Sequence, residues 1–403
     1  MEYTILGDSK AKGPLRPLPS LAAAFSVVLT TVLSLVAPAP AATAQAAATG
    51  TVLGGVPIDT PHVNGTVWAT AYGGDTVYLG GDFTAVIVAG RAHVRAGLAA
   101  FDAATGALLP WAPVANGRVR AIAADGDHVH IAGSFSQMNG LPRDSLASVT
   151  VESGTVLPFR HFVSGQPYSV AVHSGRLYIG GAFTAVDGQS RGNLAAFNLA
   201  TGLLDPAWRP TADDHVNGLA INSGRLYVGG KFHTIDGQRG VRRIAALNPA
   251  TGAIDPGFRS SLVYAVIGLG VNQGGVYAAV AGPGGRLTAM AHTGAVRWSI
   301  TTDGDPQAVA LLDGIVYVGG HFDNVCRTSR VASTNGDCLD GRTTRVKLAA
   351  VTEDGVLTPW IADGNGVTGV HTLTADPTRR RLAAGGAFTT INREPRARFA
   401  QFA

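Results

Sequence analysis

The chain is poor in charged residues, methionine and cysteine. Only 14% of its 403 residues are charged, 3 are methionine and 2 are cysteine, whereas 46% are hydrophobic and 53 are glycine. Low charge together with this apolar content excludes an intrinsically disordered chain. Abundant glycine, without any long charged periodic stretch, argues against helical bundles and coiled coils. Two cysteines supply too few soft ligands for a metal centre.

Motifs that carry common enzyme chemistry are also missing. The sequence contains no Gly-x-Ser-x-Gly, no His-Glu-x-x-His and no phosphate-binding loop. It also contains no pair of carboxylates whose spacing stands out as that of a catalytic pair. His128 and His130 share one face of an expected strand, as metal ligands sometimes do, but no third ligand accompanies them. We interpret them as ordinary strand residues, and we predict no catalytic residue, cofactor or metal site.

Positive charge is weak and spread along the chain. The formal net charge is +4, and +3 without residues 1–46. Nucleic-acid-binding domains concentrate lysine and arginine on one face, whereas the only basic run here, residues 379–381, falls in an expected hairpin turn. We therefore expect no nucleic acid as a partner.

Residues 1–46 have the features of a secretory signal peptide. Three cations precede an uncharged, mostly apolar run over residues 21–37, and small residues follow it. The small-x-small pattern predicts cleavage near residue 44 or 46. The run of 17 residues also reaches the short limit for a membrane span, so an uncleaved anchor is the alternative and the only way a membrane would be involved. Both alternatives predict export, with residues 47–403 as the mature domain.

One pattern recurs throughout that domain. Its first element is an apolar stretch ending in Gly-Gly-x-Phe, as in residues 78–83, 178–183, 227–232 and 317–322. Its second element is Leu-Ala-Ala or a near relative, whose first residues are Leu98, Leu146, Leu194, Ile244, Leu287, Leu348 and Phe399. Those seven positions lie 43 to 61 residues apart, which indicates seven repeats.

Each repeat reads as four short strands separated by glycine-containing turns. In residues 216–260 the predicted strands are 216–221, 225–232, 243–247 and 253–258. Glycine is expected at the turns because they need a positive φ. Four strands repeated seven times predict an all-β, seven-bladed β-propeller of four-stranded blades. A large aromatic residue in the fourth strand is expected to fill the space between blades: Trp111, Phe159, Trp208, Phe258, Trp298 and Trp360.

The last repeat ends after its third strand, at Ala403. Residues 49–67 align with residues 105–119, which contain a fourth strand and the loop that follows it. The N-terminal strand, over residues 49–57, is therefore predicted to complete the last blade and close the ring, which removes exposed sheet edges.

The third repeat carries the clearest family resemblance. Tyr178-Ile179-Gly180-Gly181-Ala182-Phe183-Thr184 is followed by Asp187-Gly188-Gln189, by Leu194-Ala195-Ala196-Phe197 and by Thr201-Gly202 with Asp205-Pro206-Ala207-Trp208. This run resembles the delta-sixty repeat of secreted bacterial β-propellers, and the resemblance extends over most of residues 49–403. Only the fifth repeat departs, where residues 281–285 replace the Gly-Gly-x-Phe motif. The resemblance implies a secreted bacterial propeller, and the family has no agreed catalytic residues.

A second similarity concerns the first repeat. Residues 98–102, followed by Thr105-Gly106 and Trp111, are similar to the docking repeat of quinoprotein dehydrogenases, which hold pyrroloquinoline quinone and calcium over the propeller axis. That similarity implies shared blade packing rather than shared cofactor binding. Quinoproteins of the alcohol-dehydrogenase type have adjacent cysteines near the quinone, and this chain has none.

Cys326 and Cys338 lie in one extended loop of the sixth repeat. In an exported protein such a pair predicts a disulfide. The interval across this repeat is 61 residues, so residues 323–345 are extra to a blade and form the first candidate binding element, with Arg330 and Asn335 among its polar groups.

A second candidate element is formed by the loops that lead into each first strand. These loops open onto one face of a propeller and could present a polar ring to a sugar, a cation or a peptide. The alternative interpretation is that their Asn and Asp residues only make turns. The candidate residues are His62, Asn64, Asn116, Asp213, Asp214, His215 and Asn365.

These observations favour an exported, monomeric, non-catalytic binding or scaffold propeller whose ligand is a glycan or another cell-envelope component. An extracellular polysaccharide hydrolase or lyase is the alternative, because propeller enzymes draw catalytic residues from distant blades. A quinoprotein-like dehydrogenase is a second, more remote alternative.

Overall fold

The structure, a computed structural model, describes residues 50–403. The predicted signal peptide and its cleavage site lie outside the described residues. Within them every regular element is a β-strand, and no helix is long and apolar enough to cross a membrane.

Seven antiparallel sheets follow one another along the chain, here numbered 1 to 7. Their strands are Val67–Gly73, Thr76–Gly81 and Leu98–Asp102 in sheet 1; Arg118–Asp125, His128–Ser134 and Leu146–Thr150 in sheet 2; Val163–His173, Arg176–Val186, Leu194–Asn198 and Leu203–Leu204 in sheet 3; Val216–Asn222, Arg225–Gly230 and Ile244–Leu247 in sheet 4; Val266–Asn272, Gly275–Val280, Arg286–Met290 and Val296–Thr301 in sheet 5; Pro306–Leu312, Ile315–Gly320 and Leu348–Thr352 in sheet 6; and Val370–Asp376, Arg381–Gly386 and Phe399–Phe402 in sheet 7.

Short ribbons extend the loops between the second and third strands of several sheets. They are His62–Val63 with Ala85–Val88 and Arg91–Val94; Gln137–Met138 with Leu141–Pro142; Gln189–Ser190 on the end of Arg176–Val186; Asn324–Cys326 with Arg342–Thr344; and Thr390–Ile391 with Glu394–Pro395.

The first strands of the seven sheets enclose a central channel. Each contacts the first strands of the sheets before and after it, and that of sheet 7 contacts that of sheet 1. At the junction of sheets 7 and 1 the Thr70 hydroxyl lies 3.0 Å from that of Thr372 and 2.9 Å from that of Thr374. Hydroxyl contacts therefore join sheets 7 and 1 at their innermost strands.

The predicted fourth strand is a six-residue strand in sheet 5 and a two-residue strand, Leu203–Leu204, in sheet 3. In sheets 1, 2, 4 and 6 it is a single bridge, for example Leu247 with Ile254 where a strand over residues 253–258 was predicted. A proline follows this bridge in each of those sheets, and proline has no N–H for the next ladder bond: Pro110, Pro158, Pro256 and Pro359. Sheet 5 has no proline here and forms Val296–Thr301.

The N-terminal segment lies along the free edge of sheet 7. The N–H groups of Gly54 and Ile58 donate to the carbonyl oxygens of Ala403 and Gln401, each at 2.8 Å. A comparable bond is found in sheet 1, where the N–H of Leu109, in the fourth-strand position, donates to the carbonyl oxygen of Ala100 in the third strand at 2.9 Å. The segment is thus joined to the last strand of sheet 7 by scattered hydrogen bonds, without forming a regular strand.

Seven hydrophobic clusters fill the spaces between neighbouring sheets. In five sheets the second strand contributes a tyrosine whose ring meets the aromatic residue predicted from the repeat. Those pairs are Tyr78–Trp111, Tyr178–Trp208, Tyr227–Phe258, Tyr277–Trp298 and Tyr317–Trp360. Sheet 2 has His130 and Phe159 instead, with ring centroids 6.3 Å apart. In sheet 7 the tyrosine position holds Ala383.

Candidate functional site: the channel mouth

One side chain from the first strand of each sheet lines the mouth of the central channel. Together with His215 and Lys231 these seven side chains border a cavity of about 490 Å³. They are Trp68, Arg120, Tyr168, Asn217, Ile267, Gln307 and His371. The volume is within the range of small-molecule sites in proteins.

A β-bulge positions each of the seven. In every sheet the register between the first and second strands shifts at the same place, for example between Val67 and Ala69 around Trp68. The other six residues lie at equivalent shifts. A bulge interrupts the regular alternation of side chains and redirects one of them. The ring at the mouth is therefore built into the backbone of all seven sheets.

Trp68 is at the centre of a polar cluster on one side of the mouth. Its indole stacks on His371 with centroids 4.0 Å apart, and its Nε1 donates to Asp82 Oδ2 at 3.1 Å. Arg118 bonds the same carboxylate, at 3.0 Å from Nη2, and its guanidinium lies 4.7 Å from the indole centroid. Asp82 Oδ2 therefore binds both Trp68 and Arg118, and the charge of Asp82 offsets that of Arg118.

Arg120 is the unpaired cation of the ring. Its guanidinium lies 5.2 Å from the Tyr168 centroid and 5.8 Å from the Trp68 centroid, which are cation–π distances. Within residues 50–403 it makes no hydrogen bond or ion pair, and its Nε is buried without a partner. Burial, and secondarily the neighbouring Arg118, lower the pKa of Arg120 below its usual value. Because arginine starts so high, it is still a cation at neutral pH.

Amide and imidazole groups complete the mouth. His371 Nδ1 donates to Gln307 Oε1 at 2.6 Å, and burial lowers the pKa of His371 to about 4, so the ring is neutral at pH 7. The Asn217 amide donates to the Val266 carbonyl at 2.8 Å. The Gln307 amide nitrogen and the Asn217 amide oxygen remain as one donor and one acceptor.

Four of the predicted candidates share a local role. In each of Asn64, Asn116, Asp213 and Asn365 one side-chain oxygen accepts two backbone N–H groups from the loop after the second strand, at 2.7 to 3.0 Å. Asp303, which the sequence analysis did not single out, does the same in sheet 6. We call this repeated contact the Asx clasp. It fixes the loops around the mouth.

The remaining candidates lie in three places. His215 reaches the mouth beside Tyr168, with ring centroids 5.9 Å apart, and Asp214 precedes it. His62 lines a separate cleft of about 760 Å³ beside sheet 1. Arg330 and Asn335 lie in the loop closed by the Cys326–Cys338 disulfide, which confirms the predicted pairing.

The disulfide loop uses its polar groups internally. Arg330 bonds Asp340 at 2.7 Å, and the Asn335 amide bonds Asp337 at 2.7 Å. A Cβ added at Gly284, in the divergent loop of the fifth repeat, would lie 2.8 Å from a methyl of Val331. The loop therefore packs over the segment where that repeat lacks Gly-Gly-x-Phe.

Sequence reasoning missed all seven ring residues and their neighbour Arg118. A usable signal is present, because each ring residue directly follows a buried valine or proline in the first strand. That position varies from tryptophan to isoleucine, so the repeat does not mark it. Among residues 50–403 no group of three or more His, Cys, Asp or Glu side chains is arranged to hold a metal ion.

Comparisons with known proteins agree on the architecture. The family model "Domain of unknown function (DUF5122) beta-propeller" matches residues 174–207 and 222–258. The WD40 β-propeller domain of Doa1 superposes with a TM-score of 0.51 at 12% identity, over 86% of this chain and 96% of that one. The fold is a β-propeller.

A computationally designed protein, Ika8, gives a similar superposition. Its TM-score is 0.50 at 13% identity, covering 87% of this propeller and 99% of the designed chain. No curated protein matches the sequence. At these identities the likeness concerns the fold alone, so the function of this propeller has to be argued from its own site.

Proposed function

We propose that the chain is an exported, seven-bladed β-propeller that binds a ligand at its channel mouth, outside the bacterial cell or at its surface, without catalysing a reaction. The observation that carries this proposal is the ring of seven bulged residues. A bulge gives up a ladder hydrogen bond, so the same bulge in all seven sheets favours a site over incidental packing.

The architecture supports seven blades and closure by the N-terminal segment. The described residues contain seven main sheets, and contacts run from sheet 7 back to sheet 1. Gly54 and Ile58 supply the hydrogen bonds that a fourth strand gives elsewhere. The Gly-Gly-x-Phe and Leu-Ala-Ala elements also support assignment of the repeats to the delta-sixty type.

The site itself supports binding of a polar ligand, and we propose that the chain binds it as a monomer. Its lining combines cations, aromatic rings and amides, which are the groups that fix small polar ligands in concave sites. The Asx clasps hold the surrounding loops, so the cavity is preformed. We propose a glycan or another cell-envelope component as the ligand, in keeping with export of the chain.

The test compares two variants that each introduce one tryptophan. Ile267→Trp fills the mouth without altering its charge, and Val367→Trp places the same side chain at a site that is 85% exposed. Residues 47–403 of each protein are applied to a glycan and cell-wall array. We expect Val367→Trp to bind like wild type and Ile267→Trp to lose binding at least tenfold.

Equal binding by both variants would show that the ligand does not bind at the channel mouth. The disulfide loop would then be the next candidate site. If wild type binds nothing on the array, or if it converts an arrayed polysaccharide into products, the proposed binding function fails.

A further inference from the structure

From the charge at the channel mouth, and resting on the proposed function, we infer that the ligand is an acidic sugar whose carboxylate is held by Arg120 and Lys231. Acidic sugar here means a uronic acid residue, free or at the end of an oligosaccharide.

The first step of the argument is the charge balance of the cavity. Arg120 and Lys231 line it, and neither forms an ion pair within the described residues. The nearby Arg118 is already matched by Asp82 at 3.0 Å. His371 is neutral above a pKa of about 4. The cavity lining therefore contains two cations and no carboxylate, and an anion bound there would neutralise them.

The second step concerns the geometry of Arg120. Its planar guanidinium is held over Tyr168 and Trp68, so little side-chain freedom remains to be lost on binding. A guanidinium presents paired N–H donors that match the two oxygens of a carboxylate. Lys231 is exposed at the rim and supplies a second, less directional charge.

The third step concerns the groups beside the cations. The unused amide nitrogen of Gln307 can donate to a hydroxyl, and the unused amide oxygen of Asn217 can accept from one. These amides can bond the ring hydroxyl groups of a sugar, which lie further from its anionic group than any atom of a free phosphate lies from its centre. The volume of about 490 Å³ accommodates one or two sugar rings.

The test measures binding by calorimetry to glucuronate and digalacturonate, with glucose and inorganic phosphate as probes of the hydroxyl and the anionic parts. We expect the uronates to bind, both other probes to bind at least tenfold more weakly, and uronate affinity to fall as salt is raised from 20 to 300 mM, since charge pairs at a solvated mouth are screened.

Arg120→Gln should reduce uronate affinity at least tenfold, and Arg120→Lys should restore part of it by keeping the charge. Lys231→Gln should cause a smaller loss and a shallower salt dependence. Arg239→Gln removes the same charge at an exposed position and serves as the matched control. The melting temperature of each variant verifies that it is folded.

The outcomes separate the two proposals. Binding of neutral glycans that Ile267→Trp abolishes and Arg120→Gln leaves unchanged would overturn the acidic-sugar assignment while keeping the channel mouth as the site. Phosphate binding equal to that of uronates would identify a general anion site and also overturn the assignment. Uronate binding that Arg120→Gln leaves intact would have the same consequence.

Discussion

At the second glycine of each Gly-Gly-x-Phe motif, the loop entering the first strand passes directly over the second strand. A Cβ at Gly230 would overlap the carbonyl oxygen of His215. The same overlap occurs in five other sheets, at Gly81, Gly133, Gly181, Gly320 and Gly386. The glycine that marks the repeat is therefore required by close approach of backbone to backbone rather than by a turn.

Gly230→Ala should consequently destabilise the fold, by about 1–3 kcal/mol, the usual cost of overpacking. Gly218→Ala is the control, because its added Cβ would have its nearest neighbour, in Leu269, at 3.7 Å. Urea unfolding measures both. A midpoint for Gly230→Ala equal to that of the control would show that the loop moves aside without cost.

Two histidines, the buried His130 and the half-buried His371, make the stability depend on acid pH. Burial lowers the pKa of His130, like that of His371, to about 4, below the 6.5 expected in the unfolded chain. The unfolded chain protonates these histidines below about pH 6.5, whereas the folded protein protonates them only near pH 4. The free energy of unfolding is therefore highest above pH 6.5 and falls as the pH is lowered towards 4. Each contributes on the order of 3 kcal/mol.

We expect the melting temperature to be flat above pH 7 and to fall between pH 6.5 and 4. His130→Tyr places the residue of five other sheets at this position and removes one titrating group, so the fall should become shallower. His128→Gln, at the exposed first residue of the same strand, should leave the slope nearly unchanged. Parallel slopes for His130→Tyr and wild type would refute the assignment to His130.

At the scale of elements, the sequence predicted the first three strands of the repeats and the inter-sheet aromatics well. In residues 216–260 the predicted strands 216–221 and 225–232 match Val216–Asn222 and Arg225–Gly230 closely. Periodicity of two and glycine turns identify such strands from local sequence alone. The turn glycines Gly224, Gly237 and Gly252 have positive φ, as predicted.

The fourth strands and the channel mouth were not predictable in the same way. Proline after the fourth-strand bridge limits pairing, which a strand pattern alone does not reveal. The bulges that aim Trp68 and His371 into the channel depend on register between strands, and a one-residue shift changes which face a side chain occupies. Asn64 and its equivalents were selected for their residue type, but their oxygen atoms bond backbone N–H groups.

The disulfide loop is an addition to sheet 6 rather than a part of its ladder. Replacing residues 327–337 with a shorter Gly-Ser linker, and both cysteines with serine, should leave the protein folded. The expected loss is roughly 2–3 kcal/mol, which is the usual contribution of a disulfide closing a short loop. The antiparallel pairing of Asn324–Cys326 with Arg342–Thr344, next to the replaced residues, should be retained.

Thermal melting and binding to the glycan array measure this loop variant. If the site is the channel mouth, the variant should bind like wild type. If the variant still melts cooperatively but no longer binds, the ligand site lies in the loop. If the variant is unfolded, the loop is a structural clasp over the fifth repeat.

At the scale of the whole molecule, residues 53–55 contact the last two sheets of the described chain. Leu53 N–H donates to the Tyr317 hydroxyl at 2.8 Å, Trp360 Nε1 donates to the Gly54 carbonyl at 3.3 Å, and the Asn392 amide donates to the Gly55 carbonyl at 3.0 Å. These contacts connect the N-terminal segment to sheets 6 and 7 at once. The segment therefore covers both the edge of sheet 7 and the junction between sheets 6 and 7.

A chain that starts at Thr60 lacks all of these bonds and those of Gly54 and Ile58, while one that starts at Thr51 keeps them. The shorter chain exposes the edge of Phe399–Phe402, and exposed strand edges promote association between molecules. We expect a lower melting temperature and concentration-dependent aggregation for the Thr60 chain only, measured by calorimetry and light scattering. A synthetic peptide of residues 50–59 should partly reverse both effects, because the edge offers the same backbone partners. Identical melting and solubility of the two chains would mean that the inner-strand contacts of Thr70 with Thr372 and Thr374 suffice to close the ring.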